Sequence, residues 1–346
     1  MKTKKIILCG LGTVGKAFLE LLNEREEAVR IKHGLNLEVS CIVDLGGAAV
    51  NLNGGLPISE FLDHIKNGGK PEAFPGYGQP GLSGVDAIKN NDFDILIETT
   101  PTNLKNAEPA YSFVTAAIEK GMDIVSANKG PFVLHFDQLK RLAYAKRARL
   151  FISAATGAAL PTLDTGKFST VGSTITAIEG ILNGTTNFIL TKMYFDKCSY
   201  ADALKEAQSM GIAETDPTLD VEGYDSRNKL VLISNTLLNT NYGIQDVPVQ
   251  GITKVTYEDI DQAVREDKVL KLVAAARIIE GKVLLDVRPR MLDKSHPLAS
   301  INFSEKGITY TTDTMGQITV LGGKSSPVGA AAALLKDVIH THMFTK

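Results

Sequence analysis

The stretch that decides the fold is Lys5-Ile6-Ile7-Leu8-Cys9, which continues directly into Gly10-Leu11-Gly12-Thr13-Val14-Gly15. The apolar run has the length and continuity of a strand buried on both faces of a parallel sheet. Beyond the glycines, apolar residues recur at helical spacing at Ala17, Phe18, Leu21, Leu22 and Val29. The order strand, GxGxxG, helix is typical of a turn that holds a dinucleotide diphosphate at the positive end of a helix. We therefore predict that the six residues 10–15, here called the glycine turn, contact the cofactor.

Two other interpretations of the glycine turn are weaker. With Lys16 it nearly fits the phosphate loop of nucleoside triphosphatases, but that motif needs Ser or Thr after the lysine to bind Mg²⁺. Ala17 stands there and has no hydroxyl, so the sequence favours a dinucleotide over a triphosphate. A glycine-rich turn without any ligand is the plainer alternative.

A second strand is predicted over residues 37–43 and ends at Asp44. An acidic side chain at this position can accept hydrogen bonds from the adenosine ribose, although Asp44 lies further along the chain than the usual spacing of about 20 residues. The residues that follow, Leu45-Gly46-Gly47, offer no cation for a 2′-phosphate. The sequence therefore favours NAD over NADP, and the alternative is an aspartate that only caps a turn.

The N-terminal half continues with strands predicted over 93–97 and 122–125, separated by a helix around 110–118. Residues 46–84 are rich in glycine and proline and predict a loop-rich excursion with one short helix near 58–65. This alternation of strands and helices predicts an α/β protein with a doubly wound, Rossmann-type parallel sheet. Ligands of such sheets lie beyond the carboxyl ends of the strands. We therefore predict cofactor contacts from residues at those ends: Asp44, Thr99, Thr100, Ser126 and Lys129.

Length and composition exclude several classes of protein. A chain of 346 residues predicts two domains. With 37 Lys and Arg against 39 Asp and Glu, it lacks the basic excess of a nucleic-acid-binding protein. Because no uninterrupted apolar stretch approaches the roughly 20 residues of a membrane span, we expect no membrane association.

Cysteine and histidine spacing predicts no metal site. The three cysteines, Cys9, Cys41 and Cys198, form neither a disulfide framework nor a CxxC pair. We therefore expect a cytoplasmic protein. The six histidines show no HxxxH or HExxH spacing, which argues against a zinc-dependent alcohol dehydrogenase.

Three later segments carry a more specific signal. The first is Ser126-Ala127-Asn128-Lys129-Gly130-Pro131, the second is Gly180-Ile181-Leu182-Asn183-Gly184-Thr185-Thr186-Asn187-Phe188-Ile189-Leu190, and the third spans residues 213–229 and includes Glu214, Asp220, Asp225 and Lys229. In their order along the chain and in their residues, these segments closely resemble homoserine dehydrogenase. Together with the glycine turn, the resemblance covers nearly the whole chain.

The resemblance implies NAD(P)-dependent interconversion of L-homoserine, a small amino acid, and L-aspartate 4-semialdehyde in threonine, methionine and isoleucine biosynthesis. It implies a dinucleotide-binding domain over 1–150, completed by the C-terminal segment 322–346. A mixed α+β substrate-binding and dimerisation domain with a mixed sheet would span 151–321. We expect a homodimer or a dimer of dimers. Since the chain stops soon after its last predicted helix, 329–340, we expect no C-terminal regulatory domain.

The resemblance also implies roles for individual residues. Carried over by position, Lys129 and Lys229 are the catalytic lysines. The substrate contacts carried over are Glu214, Asp225, Asp220 and Thr185.

Two features of the sequence depart from the family pattern. Ser153 stands where some members place a carboxylate near a monovalent cation, so we predict no metal, and Gly322 to Pro327 replaces the family's Gly-Ala-Gly turn.

The chemistry supports lysines independently of the resemblance. Oxidation of an alcohol requires a hydride acceptor and a base for the hydroxyl proton, and a lysine serves if burial or a nearby cation favours its neutral form. Asp225 and Lys229 are four residues apart, hence on one face of a helix whose other residues are mostly apolar. We therefore expect this pair to be buried rather than a surface ion pair, and we expect Lys129 and Lys229 to meet at one substrate oxygen.

Two other functions fit the sequence less well. A sensor that binds NAD(P) without catalysis would keep the fold, but Lys129, Glu214, Asp225 and Lys229 argue against it. An aldehyde-phosphate dehydrogenase would need a nucleophilic cysteine with a partner histidine, which the sequence does not offer.

In the rest of the chain, the residue pattern predicts a helix over 257–279 and strands over 282–287, 307–311 and 317–321.

Overall fold

The structure, a computed structural model, describes residues 1–323 and 325–343. It divides into two compact units, one formed by Met1–Ala158 with Ser326–Lys346 and the other by Ala159–Ser325. Of the C-terminal segment 322–346 expected in the dinucleotide domain, Lys324 and residues 344–346 lie outside the described residues. Among the described residues, none of the helices has the length and apolar character that crossing a bilayer requires.

The first unit is built around a sheet of strand order β4-β3-β2-β1-β5-β6-β7. Its strands are β1 (Lys2–Cys9), β2 (Leu35–Asp44), β3 (Gly47–Val50), β4 (Gly78–Pro80), β5 (Ile95–Glu98), β6 (Asp123–Ser126) and β7 (Leu150–Phe151). Its helices in this stretch are α1 (Thr13–His33), α2 (Ile58–Lys66), α3 (Gly84–Asn90), α4 (Ala110–Glu119), α5 (Gly130–Lys146) and α6 (Ser153–Gly157). Strands β2, β1, β5, β6 and β7 pair in parallel. The predicted Rossmann-type sheet is thereby confirmed.

The excursion 46–84 contains more regular structure than predicted. Besides α2, it forms β3 and β4, which extend the sheet antiparallel to β2. The prediction of a loop-rich segment with a single helix was therefore wrong. The short strand Gly47–Val50 lacks the alternation of apolar and polar residues that would indicate a strand. Its Gly and Ala residues are buried, and they pair with β2 through the backbone.

The second unit contains a five-stranded sheet of order β10-β9-β8-β11-β12. Its elements are α7 (Thr162–Asp164), β8 (Ile175–Ile181), α8 (Gly184–Asp196), α9 (Tyr200–Ser209), α10 (Thr218–Val221), α11 (Tyr224–Leu237), α12 (Tyr257–Arg265), β9 (Lys268–Ile279), β10 (Lys282–Asp293), β11 (Gly307–Thr312) and β12 (Gln317–Leu321). Every strand pairing in this sheet is antiparallel, so the expected mixed sheet is wrong. The last helix, α13 (Pro327–Met343), returns to the first unit and packs against α1.

The predicted helix 257–279 is also wrong. Helix α12 ends at Arg265, Asp267 adopts a positive φ of 57°, and the chain continues as strand β9. Residues 274–276 are three alanines, which favour a helix locally. In the fold they are fully buried in a strand that pairs with β8 and β10, and this pairing overrides their local preference. The three strands predicted after 279 are confirmed.

Candidate active site

The glycine turn is closely packed at its first and third glycines and open at its second. Gly10 has a φ of 94°, and a Cβ there would lie 2.7 Å from the Thr100 backbone nitrogen. A Cβ on Gly15 would lie 2.2 Å from the Gly10 carbonyl oxygen. At Gly12, by contrast, no described atom lies within 4 Å of such a Cβ. Of the three glycines, Gly12 is therefore the one whose backbone a ligand diphosphate can approach closely.

Helix α1 begins directly after Gly12 and presents its N-terminus at this opening. Within the described chain, no side chain caps the helix and its first turn carries no acidic residue. Its first amides are therefore available to an anion, with the helix dipole in the favourable direction. Thr13 is exposed and Val14 half-buried, whereas the Leu11 side chain belongs to the core. A dinucleotide diphosphate fits this arrangement.

Parallel pairing of β1, β5 and β6 brings Thr99, Thr100 and Ser126 to the same sheet edge as the glycine turn. The Thr99 hydroxyl donates to the Gly10 carbonyl oxygen at 2.7 Å and so fixes the turn to the end of β5. Ser126 is buried, and its hydroxyl donates to the Asn128 carbonyl oxygen at 3.1 Å. The side chains of Thr99 and Ser126 therefore support the edge from within the protein.

Lys129 lies at this edge because the Asn128 side chain connects the start of α5 to the segment that follows β5. The Asn128 amide donates to the Thr100 carbonyl oxygen at 3.0 Å, and its oxygen accepts from the Gly130 N–H at 2.9 Å. Lys129 is half-buried, and its N–H donates to the Thr102 hydroxyl at 3.4 Å. Asn128 was part of the quoted motif but was not predicted as a site residue.

Glu98, at the end of β5, is a buried carboxyl that the sequence places at the ligand edge but that was not among the predicted site residues. One of its oxygens accepts from the Thr100 N–H at 2.7 Å, from the Thr100 hydroxyl and from the Asn128 amide at 3.4 Å. Its other oxygen is buried and has no hydrogen-bond partner among the described residues. Burial raises the pKa of Glu98 to about 7, although the hydrogen bonds from Thr100 and Asn128 act in the opposite direction.

We expect Glu98→Gln to remove a pH dependence of stability. The folded-state pKa of Glu98, about 7, lies above its ordinary value of 4.5. The folded state therefore binds the proton more tightly, and stability is lost as the pH rises from about 5 to 8, by roughly 3 kcal/mol. Glutamine resembles the protonated carboxyl and should abolish this loss. Urea unfolding at several pH values measures it, and equal slopes for both proteins would contradict the assignment.

Asp44 is half-buried at the end of β2, in the tight connection to β3. A second carboxylate, missed by the sequence analysis, packs against this connection: a Cβ on Gly46 would lie 2.0 Å from Glu72 Oε1. Glu72 Oε2 is buried and has no hydrogen-bond partner within the described ranges. Asp44 and Glu72 thus make this end of the edge acidic, which suits ribose hydroxyls and disfavours a phosphate.

In the second unit, Asn183 joins three of the predicted residues into one cluster. Its side-chain oxygen caps α8 by accepting from the Thr186 N–H at 3.0 Å. Its amide donates to Asp220 Oδ1 at 2.6 Å and to Asp225 Oδ2 at 3.0 Å. Lys229 Nζ in turn donates to Asp225 Oδ2 at 2.6 Å and to the Leu182 carbonyl oxygen at 2.9 Å. The side chains of Asp225 and Lys229 are 15% and 16% exposed, so this pair is largely but not completely buried.

Glu214 and Thr185 are placed differently from these three residues. Glu214 is exposed in the connection between α9 and α10, and its carboxylate forms no hydrogen bond or ion pair with the described residues. Thr185 is buried, and its hydroxyl donates to the Ile212 carbonyl oxygen at 3.0 Å. The structure therefore places Thr185 as a support for the segment that carries Glu214, and leaves the Glu214 carboxylate open to solvent.

Lys306 is a further residue near this cluster that the sequence analysis missed. It is buried just before β11. Burial, together with the nearby Lys229 ammonium, lowers the pKa of Lys306 to about 8, against the opposing effect of Asp225. No sequence signal marked Lys306, because it lies far along the chain from the motif that contains Lys229.

Ser153, which stands where some members place a carboxylate, is itself bonded to a carboxylate. Its N–H and hydroxyl donate to the two oxygens of buried Asp337 on α13, at 3.0 and 2.8 Å. Asp337 thus fixes α6 to the last helix of the first unit.

A Rossmann-type edge with an open glycine turn in one unit, and a buried lysine–carboxylate cluster in the other, define the class of NAD(P)-dependent oxidoreductases. Comparison with known proteins narrows that class. The family model described as homoserine dehydrogenase matches residues 161–339. The chain belongs to the homoserine dehydrogenase family.

Individual relatives resemble the chain over nearly its whole length. It is 36% identical to the NAD(+)-dependent homoserine dehydrogenase of Pseudomonas canavaninivorans, with 99% of this chain and 97% of that protein covered. It is 33% identical to the homoserine dehydrogenase of Methanocaldococcus jannaschii, with 99% of each covered. The crystal structure of a homoserine dehydrogenase from Thiobacillus denitrificans matches with a TM-score of 0.84 at 27% identity, over 99% of this chain and 74% of that one. The predicted family and fold are confirmed, and these comparisons give no support to a non-catalytic sensor.

Proposed function

We propose that this protein oxidises L-homoserine to L-aspartate 4-semialdehyde, and catalyses the reverse reduction, with Lys229 and Lys129 as its catalytic lysines. The observation that carries the proposal is the Lys229 ammonium held 2.6 Å from Asp225 inside a largely buried cluster. Such a lysine can exchange one proton with a substrate hydroxyl. When bound at the glycine turn, the dinucleotide supplies the hydride acceptor or donor.

The proposed roles divide the charges of the substrate among the residues. In oxidation, Lys229 in its neutral form takes the hydroxyl proton as the carbon–hydrogen bond breaks. In reduction, its ammonium returns that proton to the carbonyl oxygen. Lys129, at the dinucleotide-binding edge of the first unit, is the second proposed catalytic lysine. Asp225, Asp220 and the exposed Glu214 attract the substrate ammonium. Thr185 positions the Glu214 segment through its hydrogen bond to Ile212.

We assign dinucleotide binding to the first unit and substrate binding to the second, close to the expected boundaries 1–150 with 322–346, and 151–321. We further propose a homodimer or dimer of dimers that acts in the cytoplasm. The free cysteines, two of them buried, suit a reducing compartment. Light scattering on the purified protein tests the subunit number.

A direct assay tests the function. Purified protein is incubated with L-homoserine and NAD or NADP at alkaline pH, and the absorbance of the reduced cofactor is followed. We expect reduction that depends on L-homoserine, and much less with 4-hydroxybutanoate, which lacks the ammonium that Asp220 and Asp225 would hold. Absence of L-homoserine-dependent reduction with both cofactors would overturn the proposal.

We expect Asp44→Ala to weaken NAD more than NADP. Asp44 can accept hydrogen bonds from the ribose hydroxyls of NAD, whereas its charge repels the 2′-phosphate of NADP. Loss of one charge-assisted hydrogen bond predicts a rise in the KM for NAD of roughly 10-fold, with the KM for NADP unchanged or lower. Steady-state kinetics with both cofactors measure this. Glu72→Gln should act in the same direction, and equal losses for the two cofactors would show that Asp44 does not discriminate.

A further inference from the structure

The backbone of Lys129 is fixed on both sides at the start of α5. Its N–H donates to the Thr102 hydroxyl at 3.4 Å, and its carbonyl oxygen accepts from the Val133 N–H at 2.9 Å. The residue after it is closely packed, because a Cβ on Gly130 would lie 2.7 Å from the Asn103 carbonyl oxygen. A lysine ammonium sits on a long, flexible stem, so a fixed backbone limits the space that the ammonium can reach.

The buried amide of Asn128 connects this backbone to the segment that follows β5. Asn128 is 2% exposed. Its amide nitrogen donates to the carbonyl oxygens of Thr100 at 3.0 Å and Pro101 at 3.3 Å. Its oxygen accepts from the Gly130 N–H at 2.9 Å. Both ends of this side chain are therefore used within the protein, and they hold the start of α5 to the segment after β5.

Glu98 holds the same two segments from the end of β5. It is fully buried, and its Oε1 accepts from the Thr100 N–H at 2.7 Å and from the Asn128 amide at 3.4 Å. Its backbone carbonyl accepts from the Ala127 N–H at 3.0 Å. A carboxyl oxygen can accept such bonds whether the group is ionised or protonated, so this arrangement does not depend on the charge of Glu98. Because its side chain is enclosed, Glu98 acts on this edge from within the protein.

We propose that Glu98 and Asn128 are positioning residues for the reaction: together they fix the backbone from which the catalytic Lys129 side chain extends. The inference rests on the proposed function and extends it to two residues outside the predicted set. Neither residue makes or breaks a bond in the reaction. Their effect is on the geometry of Lys129, and a catalytic group displaced by about 1 Å can cost roughly 100-fold in rate.

The test is a double-mutant cycle between Asn128 and Lys129, measured as kcat/KM for L-homoserine oxidation. Asn128→Ala alone should lower kcat/KM by roughly 100-fold. In the Lys129→Met background the same change should cost less than about threefold, because the lysine that Asn128 positions is no longer there. A role in the fold or in cofactor binding alone would instead lower kcat/KM by the same factor in both backgrounds.

Variants of Glu98 extend the cycle to the carboxyl. Glu98→Ala removes the oxygen that accepts from Thr100 and Asn128, so it should show the same dependence on Lys129 as Asn128→Ala. Glu98→Gln keeps an oxygen that can accept these bonds and should hold kcat/KM within about threefold of wild type. Should Glu98→Ala fail to fold, Glu98→Asp, which shortens the side chain and withdraws the acceptor, takes its place in the cycle.

Asn235→Ala provides the matched control. Asn235 is also fully buried, its amide donates to the Tyr242 carbonyl oxygen at 2.9 Å, and its oxygen accepts from the Tyr242 N–H at 2.9 Å. It therefore fixes a backbone segment as Asn128 does, but in the second unit. We expect Asn235→Ala to lower the unfolding temperature, and any loss in kcat/KM to be the same with and without Lys129→Met.

The outcomes separate the inference from the function on which it rests. If Asn128→Ala caused no loss, or an equal loss in both backgrounds, the positioning role would be overturned and the proposed reaction would stand. Wild-type turnover in Lys129→Met would remove that lysine from the mechanism, and the inference with it. A wild-type protein that does not oxidise L-homoserine would overturn the proposed function as well.

Discussion

Lys229→Met is expected to lower kcat/KM for L-homoserine by roughly 10²–10⁴-fold, the range usually found when a general acid–base is removed. Methionine fills much of the same volume but cannot exchange a proton. Asp225 keeps its hydrogen bond from the Asn183 amide at 3.0 Å, so the cluster is not left without a donor. The dissociation constant for NAD should change less than about twofold, because the glycine turn belongs to the other unit. Fluorescence titration with NADH measures binding separately from turnover.

Lys192→Met provides the matched control for this prediction. The Lys192 side chain is 16% exposed, like that of Lys229, and it also forms an ion pair with an aspartate four residues away, Asp196. It additionally pairs with Glu206 at 2.9 Å, on the neighbouring helix. We expect this variant to retain turnover while losing some stability. Comparable losses of turnover in both variants would mean that Lys229 acts through the fold and not through a proton.

Much of the first unit could be predicted because its signals are local. The run Lys5–Cys9 and the glycines after it determine a strand, a turn and a helix within a short stretch of chain, and parallel pairing then aligns the strand ends. The same argument placed Asp44, Thr99, Thr100, Ser126 and Lys129 at one edge. Residues of this kind are predictable because each lies at the end of a strand that can be recognised by itself.

The errors lie where pairing between distant segments decides the structure. The alanine run in β9 has a local preference for a helix, and only its pairing with β8 and β10 makes it a strand. β8 itself was not predicted, so no sequence argument could supply the partner. The edge strand β3 is similar, since its Gly and Ala residues become a strand only because β2 offers a free backbone edge.

The candidate site likewise contains features that local sequence predicts and features that depend on the folded structure. The spacing of Asp225 and Lys229 predicted a shared helix face, and the structure places both in one hydrogen-bonded cluster with Asp220. Lys306 joins that cluster through the β8–β11 register, which no nearby residue pattern reveals. The sequence also places Glu98 directly after a predicted strand. Its unpartnered oxygen and raised pKa depend on burial, which is a property of the folded molecule.

The second large effect is a loss of NAD binding on replacement of a glycine of the glycine turn by alanine, which we compare at Gly12 and Gly15. Gly12→Ala should raise the dissociation constant for NAD by roughly 100-fold, about 2.7 kcal/mol, and leave the free energy of unfolding within about 0.5 kcal/mol of wild type. The backbone at Gly12, with φ of −74°, is one that alanine adopts freely, and the new methyl group meets no described atom within 4 Å. It occupies the space through which a diphosphate would approach the backbone.

Gly15→Ala should weaken NAD as well, but for a different reason. Its methyl group would lie 2.2 Å from the Gly10 carbonyl oxygen, which is backbone and cannot turn away. Gly10 is itself pressed against Thr100, so relief of the clash must move the end of β5, at a cost of roughly 1–3 kcal/mol in stability. Gly172→Ala, whose methyl group would meet only Met315 at 3.8 Å in the other unit, should change neither quantity. If Gly12→Ala bound NAD like wild type, the open side of the turn would not be where the diphosphate lies.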